Sequence, residues 1–169
     1  YGVCKHAVHQ VAADYARLSG INLACARLFH LFGPEEDDRR FVPSLVRPLL
    51  SGEPAVCRHG GFRRDFLHVR DAGDALGASM ESDVSGAINV ASGRTAALGD
   101  VAAAVAALVG GNAELRVESG RPTADNPAEL AAVTTRLTSE VDWTPAVTLT
   151  EGLRSVVHAL RQRRRSRAA

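Results

Sequence analysis

A tyrosine and a lysine stand at positions i and i+4 in the segment YGVCK, as Tyr1 and Lys5. Residues at this spacing share one face of a helix, so the phenol would lie beside the ammonium group if the segment is helical. A neighbouring cation favours the phenolate and lowers the pKa of a tyrosine, which suits a group that exchanges protons near neutral pH. The pair could therefore do acid–base chemistry, although a surface tyrosine beside a surface lysine has the same spacing.

The helix that would carry this pair is predicted by the apolar residues that follow. They recur at steps of three and four up to Gly20, a natural helix terminator. The run INLACARLF at 21–29 is nearly continuous and apolar, as expected of a strand buried on both faces. A helix followed by a buried strand indicates a parallel α/β sheet. The apolar helix positions are Cys4, Val8, Val11, Tyr15 and Leu18.

Helices and strands are predicted to alternate along the rest of the chain. The charged segment EEDDRR at 35–40 is typical of a loop, and Pro43 could begin a helix that runs through Leu50. Pro48 inside that helix should loosen or kink it. Later elements continue the alternation. They are a strand at 87–91, a helix at 98–109, a strand at 115–117, a small helix before Trp143 and a long C-terminal helix.

Turn and capping residues suggest where some of these elements begin. Two short strands, 55–59 and 64–69, flank a Gly-Gly turn at residues 60 and 61. Asp71 could cap the helix that follows the second strand. Thr150, which precedes Glu151, could cap the last helix.

Composition and charge exclude several classes of protein. The 169 residues are 46% hydrophobic with a formal net charge of +1, which is enough apolar content for an ordinary core. The basic run RQRRRSR at 161–167 contains no aromatic residue and is typical of a solvated helix end, so we predict no nucleic-acid partner. The three cysteines have irregular spacings, which favours a protein of the reducing cytoplasm. The histidines lack the spacing of metal ligands, so we predict no metal site. The sequence shows neither an apolar run long enough to span a membrane nor the pattern of a signal peptide.

Six segments of the chain occur in an order and at spacings typical of one protein family. The chain resembles the C-terminal half of extended short-chain dehydrogenases, specifically the NAD-dependent epimerases and dehydratases that act on nucleotide sugars. The resemblance implies an α/β fold: the C-terminal part of a Rossmann-like NAD(P)-binding fold plus the smaller α/β substrate-binding domain. Residues 1–33 would supply the last helix and strand of the Rossmann-like domain, and 34–169 mainly the substrate domain, with 64–91 returning to the Rossmann-like sheet. The segments are YGVCK, ARLFHLFGP, FVPSLVRPLLSGEP, RRDFLHVRDAGDAL, GAINVASG and VDWTPAVTLTEGL.

The resemblance implies the roles of the first two residues. Tyr1 would be the general acid or base that exchanges a proton with a sugar hydroxyl, while a hydride passes between the sugar carbon and the nicotinamide. Lys5 would lower the pKa of Tyr1 and hydrogen-bond the nicotinamide ribose. Both residues are therefore candidates for cofactor binding as well as catalysis. The cofactor would be NAD or NADP.

An arginine in a predicted strand is the first candidate for binding a nucleotide-diphosphate sugar. In RRDFLHV, side chains alternate across the strand, so Arg64, Phe66 and His68 share one face. The family places its diphosphate-binding arginine at the position of Arg64, and the guanidinium group matches phosphate geometry. The alternative is an arginine that merely pairs with Asp65 or Asp71.

Three further residues match substrate-binding positions of the family. Arg121 matches a second arginine that reaches the same phosphates from a late loop. Arg40 matches a position where some members place a cation against the substrate, with a solvated loop charge as the alternative. His30 departs from the family, because RLFHLFGP carries histidine where RxFNxYGP carries a substrate-binding asparagine. Histidine still donates a hydrogen bond but is larger and titratable.

The family's Tyr-x-x-x-Lys motif stands in the middle of the chain, after a glycine-rich cofactor-binding turn that this sequence does not contain. We therefore interpret the chain as the C-terminal part of an NAD(P)-dependent nucleotide-sugar epimerase or dehydratase, which is a homodimer when full length and inactive as 169 residues alone. The alternatives are a 4-keto-sugar reductase of the same family, or a non-catalytic fragment that binds a nucleotide sugar or a partner. In a fragment, we expect exposed apolar surface on the first helix and on the strand at 21–29.

Overall fold

A computed structural model describes residues 1–168 of the chain, and the side chains of residues 1–166, as an α/β protein. The helices are α1 (Gly2–Ser19), α2 (Phe41–Ser51), α3 (Val69–Glu81), α4 (Leu98–Val109), α5 (Thr135–Ser139) and α6 (Leu149–Ala168). The strands are β1 (Ala24–Leu28), β2 (His30–Phe32), β3 (Ala55–Cys57), β4 (Arg63–His68), β5 (Gly86–Val90), β6 (Thr95–Ala97), β7 (Leu115–Val117) and β8 (Glu129–Leu130).

Parallel pairing dominates the sheets. β1 pairs with β5 in parallel, from Ala24 opposite Gly86 to Leu28 opposite Val90. β4 is parallel to β2 and β8 and antiparallel to β6, and β3 is parallel to β7. Parallel strands need long crossovers, and helices α2, α3 and α4 lie within these connections. The predicted parallel α/β class is confirmed.

Two hydrophobic cores contact opposite sides of β4. The first is built from α2, α4 and α6, where Leu45, Val105 and Leu153 are fully buried, and Phe66 packs against it. The second is built mainly from α3 and β5 and includes Leu67. Neighbouring residues of β4 thus belong to different cores, as the alternation of side chains along a strand requires.

Helix α1 has the predicted length but buries almost none of its apolar positions. Val8, Val11, Tyr15 and Leu18 are all exposed, and the only buried residue of the helix is Ala16. β1 is also only partly covered, with Ala24 and Leu28 exposed, so the prediction of a strand buried on both faces is wrong for this chain. The physical reason is that β5 is the one strand paired with β1 among the described residues. The apolar surface that we expected on both elements is present.

Two predicted helix caps are wrong by two or three residues. The cap of α3 is His68, whose Nδ1 accepts a hydrogen bond from the backbone N–H of Arg70, while Asp71 lies within the first turn. Asp71 instead accepts a hydrogen bond from the backbone N–H of Val147, so its carboxylate makes a tertiary contact and does not cap α3. At α6, Thr148 and Glu151 form a reciprocal capping box, which places the cap two residues before Thr150.

The strands around the Gly-Gly turn do not pair with each other. The first, Ala55–Cys57, is shorter than predicted, and the second, Arg63–His68, has the predicted length but begins one residue earlier. Each pairs with a strand from a distant part of the chain. Pro48 does lie inside α2, as predicted. Local turn residues therefore located the strands but not their partners.

The basic end of α6 is partly attached to the body of the protein. Arg161 donates to the carbonyl of Val109 at the C-terminus of α4, and Arg163 forms an ion pair with Glu35. The side chain of Arg167 lies outside the described residues.

No helix in the described part of the chain has the length and apolar content to cross a membrane.

The close packing of α6 on β2 and β4 predicts a steric penalty at Gly152. A Cβ at this position would lie 2.6 Å from Cζ of Phe32 and 3.0 Å from Cδ2 of His68. We expect Gly152→Ala to lower the free energy of unfolding in urea by about 1–3 kcal/mol, because the core cannot accept the added methyl group. Gly77→Ala in α3 is the matched control, since nothing lies within 4 Å of its Cβ position and alanine favours a helix. An equal loss in both variants would contradict this packing.

Candidate functional site

A groove between α1 and β1 contains Tyr1 and Lys5. Its volume is about 660 Å³, with α1 residues on one wall and residues 23–28 on the other. Tyr1 caps α1 and is exposed, and the backbone N–H of Lys5 donates to its carbonyl at 3.0 Å. Nζ of Lys5 lies 5.5 Å from the centroid of the Tyr1 ring. The arrangement brings an ammonium group to a phenol that solvent or a ligand can reach, as proton exchange requires.

A second pocket, of about 240 Å³, begins two residues beyond the end of β1. Its residues include His30 and Arg40, both singled out from the sequence, and the aromatic rings of Phe41 and Phe66. Because Leu28 lines the groove and His30 lines the pocket, the two cavities are separated along the chain by roughly 7 Å of extended backbone. The groove runs along the whole of β1, and the pocket includes all three residues of β2.

His30 is held as a neutral ring. Burial lowers its pKa, and the positive charges of Arg64 and Arg40 lower it further. Its ring packs edge-on against Phe66, the residue opposite it in the β2–β4 register. Nδ1 is buried and has no hydrogen-bond partner within the described residues. A neutral imidazole with a free nitrogen can either accept or donate one hydrogen bond, depending on its tautomer.

Glu36 is a pocket residue that sequence reasoning missed. Residues 35–40 form a loop, as predicted, yet the Glu36 side chain is only 14% exposed and burial raises the pKa of its carboxyl group. Nε of Arg40 lies 3.5 Å from Oε1, while Oε2 is buried without a partner in the described part of the chain. The sequence of a run of charged residues does not show which of them has a largely buried side chain. Arg40 itself is largely exposed at the cap of α2.

Arg64 is buried, and the protein occupies most of its donors. Nη1 donates to the carbonyls of Arg63 and Ala128, and Nη2 donates to Oδ1 of Asn126 at 2.5 Å and to the carbonyl of Pro127 at 2.9 Å. Of the five N–H groups of a guanidinium, only the one on Nε has no such acceptor among the described residues. The effect of Arg64 on the pKa of His30 places its charge near the pocket.

The alternative in which Arg64 pairs with a neighbouring aspartate is wrong. Asp65 is fully buried on the opposite face of β4 and accepts hydrogen bonds from Oγ and the backbone N–H of Ser92 and from the N–H of Gly93. Asp71 accepts from Val147. Each buried charge thus has its own set of partners, which buried charges require.

Arg121 lies apart from the other candidates. It is exposed on the loop at 118–128 that joins β7 to β8. The same loop supplies Asn126 and Pro127 to Arg64, so the two arginines belong to one connected unit. The structure therefore groups His30, Arg40 and Arg64, places Tyr1 and Lys5 in the adjoining groove, and leaves Arg121 on the loop.

A serine, a histidine and an aspartate also meet behind the pocket, but they are not arranged for nucleophilic catalysis. Nε2 of His68 lies 3.2 Å from Oγ of Ser155, and Asp71 is close enough to affect the pKa of the ring. Nδ1 of His68 accepts from the N–H of Arg70, so Nε2 carries the proton and donates to Oγ, which donates to the carbonyl of Gly152. A ring in this tautomer cannot remove the serine proton. The cluster is structural.

No group of three or more His, Cys, Asp or Glu residues suited to a metal ion occurs among the residues that the structure describes.

Comparison with known proteins gives one family. Residues 1–91 match the profile of the NAD dependent epimerase/dehydratase family. UDP-glucuronic acid decarboxylase 5 of Arabidopsis thaliana is 30% identical over 156 residues, which are 90% of this chain and 45% of the relative. UDP-glucuronic acid decarboxylase 1 of Xenopus tropicalis is 28% identical, over 96% of this chain and 39% of the relative. The chain thus spans less than half of the length of these relatives.

Solved structures share the fold. RMD from Pseudomonas aeruginosa, complexed with NADPH, has a TM-score of 0.87 at 20% identity, over 96% of this chain and 56% of that one. UDP-glucose 4-epimerase from Thermotoga maritima, with UDP-glucose, has a TM-score of 0.87 at 23% identity, over 96% and 53% of the two chains. UDP-glucuronic acid 4-epimerase from Bacillus cereus, with UDP-glucuronic acid and NAD, has a TM-score of 0.84 at 22% identity, over 96% and 52%. The predicted Rossmann-like α/β fold is confirmed.

The lowered pKa of His30 predicts how stability depends on pH. The unfolded chain binds a proton near pH 6.5 while the folded ring stays neutral, so stability falls as pH drops below about 6.5. We expect His30→Asn to lose less stability than the native chain between pH 7.5 and 5.5, by at most about 1.4 kcal/mol per pH unit, in urea unfolding.

The exposed His158 provides the matched control for this experiment. His158→Asn removes a histidine without removing a buried ring. If His30→Asn and the native chain lose the same stability over this pH range, His30 is not held neutral in the folded state.

Proposed function

The chain belongs to the NAD-dependent epimerase/dehydratase family, and we propose that it supplies the acid–base pair and the diphosphate-binding side chains of an enzyme that modifies the sugar of a nucleotide-diphosphate sugar. The observation that carries this proposal is the pair Tyr1 and Lys5 in a groove along β1, next to a pocket bordered by Arg40 and near Arg64. Proton exchange and anion binding are thus available side by side.

Tyr1 is the proposed proton-transfer group. Its phenol exchanges a proton with a sugar hydroxyl, and the ammonium group of Lys5 lies beside the ring as a second donor. The two donors also fit the hydroxyl groups of a nicotinamide ribose, and the groove of about 660 Å³ leaves room for a ring beside them. When bound, NAD or NADP supplies the hydride chemistry that protein side chains lack.

The substrate is proposed to lie with its diphosphate near the arginines. Arg40 and Arg121 offer exposed guanidinium groups, of which Arg40 also pairs with Glu36, and Arg64 adds a buried positive charge and its remaining Nε–H. His30 replaces the family's asparagine as a single hydrogen-bond partner, and its neutral ring avoids adding another cation. The aromatic rings of Phe41 and Phe66 provide an apolar wall for a ring of the ligand.

Several reactions are compatible with these groups. Oxidation of a sugar carbon can precede epimerisation, dehydration or decarboxylation, and the last is the activity named for the Arabidopsis and Xenopus relatives. Reduction of a 4-keto sugar runs the same transfer in the opposite direction.

We propose that residues 1–33 and 64–91 belong to the Rossmann-like sheet and most other residues to the substrate domain. The exposed apolar face of α1 would then suit the proposed homodimer.

A second candidate is nucleotide-sugar binding without turnover. It rests on the arginines at and near the pocket, which can bind a diphosphate whether or not proton transfer follows. Activity measurements separate this candidate from the first.

Catalysis by Tyr1 predicts a loss of turnover when its hydroxyl is removed. In a catalytically active form of the protein, supplied with NAD and either UDP-glucose or UDP-glucuronic acid, we expect Tyr1→Phe to lower kcat by about 10²–10⁴-fold with little change in KM. Tyr15→Phe on the same helix is the matched control, because Tyr15 is exposed and lies outside the groove. Equal activity of Tyr1→Phe and native protein, or no conversion of any nucleotide sugar, would reject the catalytic proposal.

Diphosphate binding can be measured on the 169-residue chain. We expect UDP to bind at least about tenfold more tightly than uridine in calorimetry, since charge-assisted hydrogen bonds to phosphate contribute most of the affinity. Arg40→Ala should raise the Kd for UDP about tenfold. Arg116→Ala is the control, because Arg116 is exposed, pairs with Glu114 and does not line the pocket. Equal affinity for UDP and uridine would contradict the diphosphate site.

A further inference from the structure

Three side chains at the start of β4 are stacked on one another beneath the loop at 118–128. The rings of His59 and Phe62 stack with centroids 4.9 Å apart and an angle of 28° between their planes. The guanidinium carbon of Arg64 lies 5.4 Å from the centroid of the Phe62 ring, which is buried. We call His59, Phe62 and Arg64 the stacked column. The column links His59 in the turn to the buried ring of Phe62 and to the buried guanidinium group of Arg64.

Both ends of the loop are attached to this column. At one end Gly120 packs directly on His59, so closely that a Cβ on Gly120 would lie 2.7 Å from Cγ and 2.9 Å from Cε1 of the ring. At the other end Oδ1 of Asn126 accepts from Nη2 of Arg64 at 2.5 Å. Backbone hydrogen bonds reinforce both ends, from the N–H of Gly60 to the carbonyl of Glu118 and from the N–H of Arg63 to the carbonyl of Ala128. Arg121 lies between the two attachments.

The attachment at His59 is unfavourable for the histidine itself. Its φ of 59° lies in the left-handed region, which is uncommon for residues other than glycine. Its Nδ1 is buried without a hydrogen-bond partner among the described residues. Both features cost free energy and persist only where surrounding contacts fix them, which is typical of functional segments.

Glycine is required at position 120 because the His59 ring leaves no room for a Cβ, and not because of the backbone conformation. Its φ lies outside the positive range that favours glycine, so an alanine would be acceptable there if the His59 ring were absent. The contact between Gly120 and His59 can therefore be tested by single substitutions that leave the backbone conformation allowed.

We infer that the stacked column positions the loop at 118–128, and through it Arg121, for binding the diphosphate of the ligand. His59, Gly120 and Asn126 are then positioning residues. The inference rests on the proposed function, in which Arg121 contacts the diphosphate. A loop that is already attached at both ends loses less conformational entropy on binding than a free one, so the contact of Arg121 with phosphate is stronger.

Gly120→Ala tests this inference by pushing the loop off the His59 ring. We expect the Kd for UDP in calorimetry to rise about tenfold, as for Arg121→Ala, and the double variant to bind no more weakly than either single variant. Amide hydrogen exchange at residues 119–128 should become faster in Gly120→Ala. In a His59→Gly background, which removes the ring and suits the left-handed φ, the same substitution should change neither the Kd nor the exchange rate.

Gly61→Ala is the matched control, because Gly61 lies in the same turn with nothing within 4 Å of its Cβ position. It should leave UDP affinity and loop exchange unchanged. Faster loop exchange in Gly120→Ala with native UDP affinity would overturn the inference and leave the proposed function intact. Additive losses in Gly120→Ala and Arg121→Ala would also overturn it. If the native chain does not bind UDP, the proposed function fails, and the role assigned to the column fails with it.

Discussion

The arrangement of the whole site depends on two buried charges on adjacent residues of β4. Arg64 and Asp65 point to opposite sides of the strand, so they cannot neutralise each other by direct contact. A charge that is removed from water must find partners or destabilise the fold. Arg64 takes carbonyl and amide oxygens from residues 126–128, and Asp65 takes N–H groups from residues 92 and 93. These two requirements hold two loops in place on opposite faces of one strand.

The electrostatics of the pocket follow from this arrangement. The buried Arg64 and the exposed Arg40 act together on His30, and burial adds to their effect, so the ring stays uncharged. Glu36 offsets Arg40 at the pocket edge, and its own burial keeps its carboxyl group easier to protonate. The region near His30 therefore combines positive charge suited to phosphate with neutral hydrogen-bonding groups suited to a sugar or a base.

The sequence predicted the elements that depend on local patterns. Helix α4 has the predicted bounds, and the alternation along β4 placed Arg64 and Phe66 on one face because the period of a strand is two. What failed depends on contacts between distant residues. Asp71 resembles a cap but accepts a hydrogen bond from Val147, and Glu36 resembles a solvated charge but is mostly buried. The apolar positions of α1 have helical spacing, yet no local pattern can tell whether a surface will be covered.

Strand pairing across long stretches of chain has a consequence for how this fold is reached. Three of the four parallel pairs join Ala24 to Gly86, Ala55 to Leu115 and Arg63 to Glu129, so each of these three ladders closes a loop of roughly 60 residues. Sheets of this kind have high contact order and assemble slowly, because the chain entropy is lost before the pairing contacts form. During synthesis β3 must wait for its partner β7. β4 can pair at once with β2 but must wait for β6 and β8, so the sheets stay incomplete until those strands emerge. Folding of this chain therefore cannot finish before β7 and β8 have been synthesised, and until then the unpaired strands are open to chaperones.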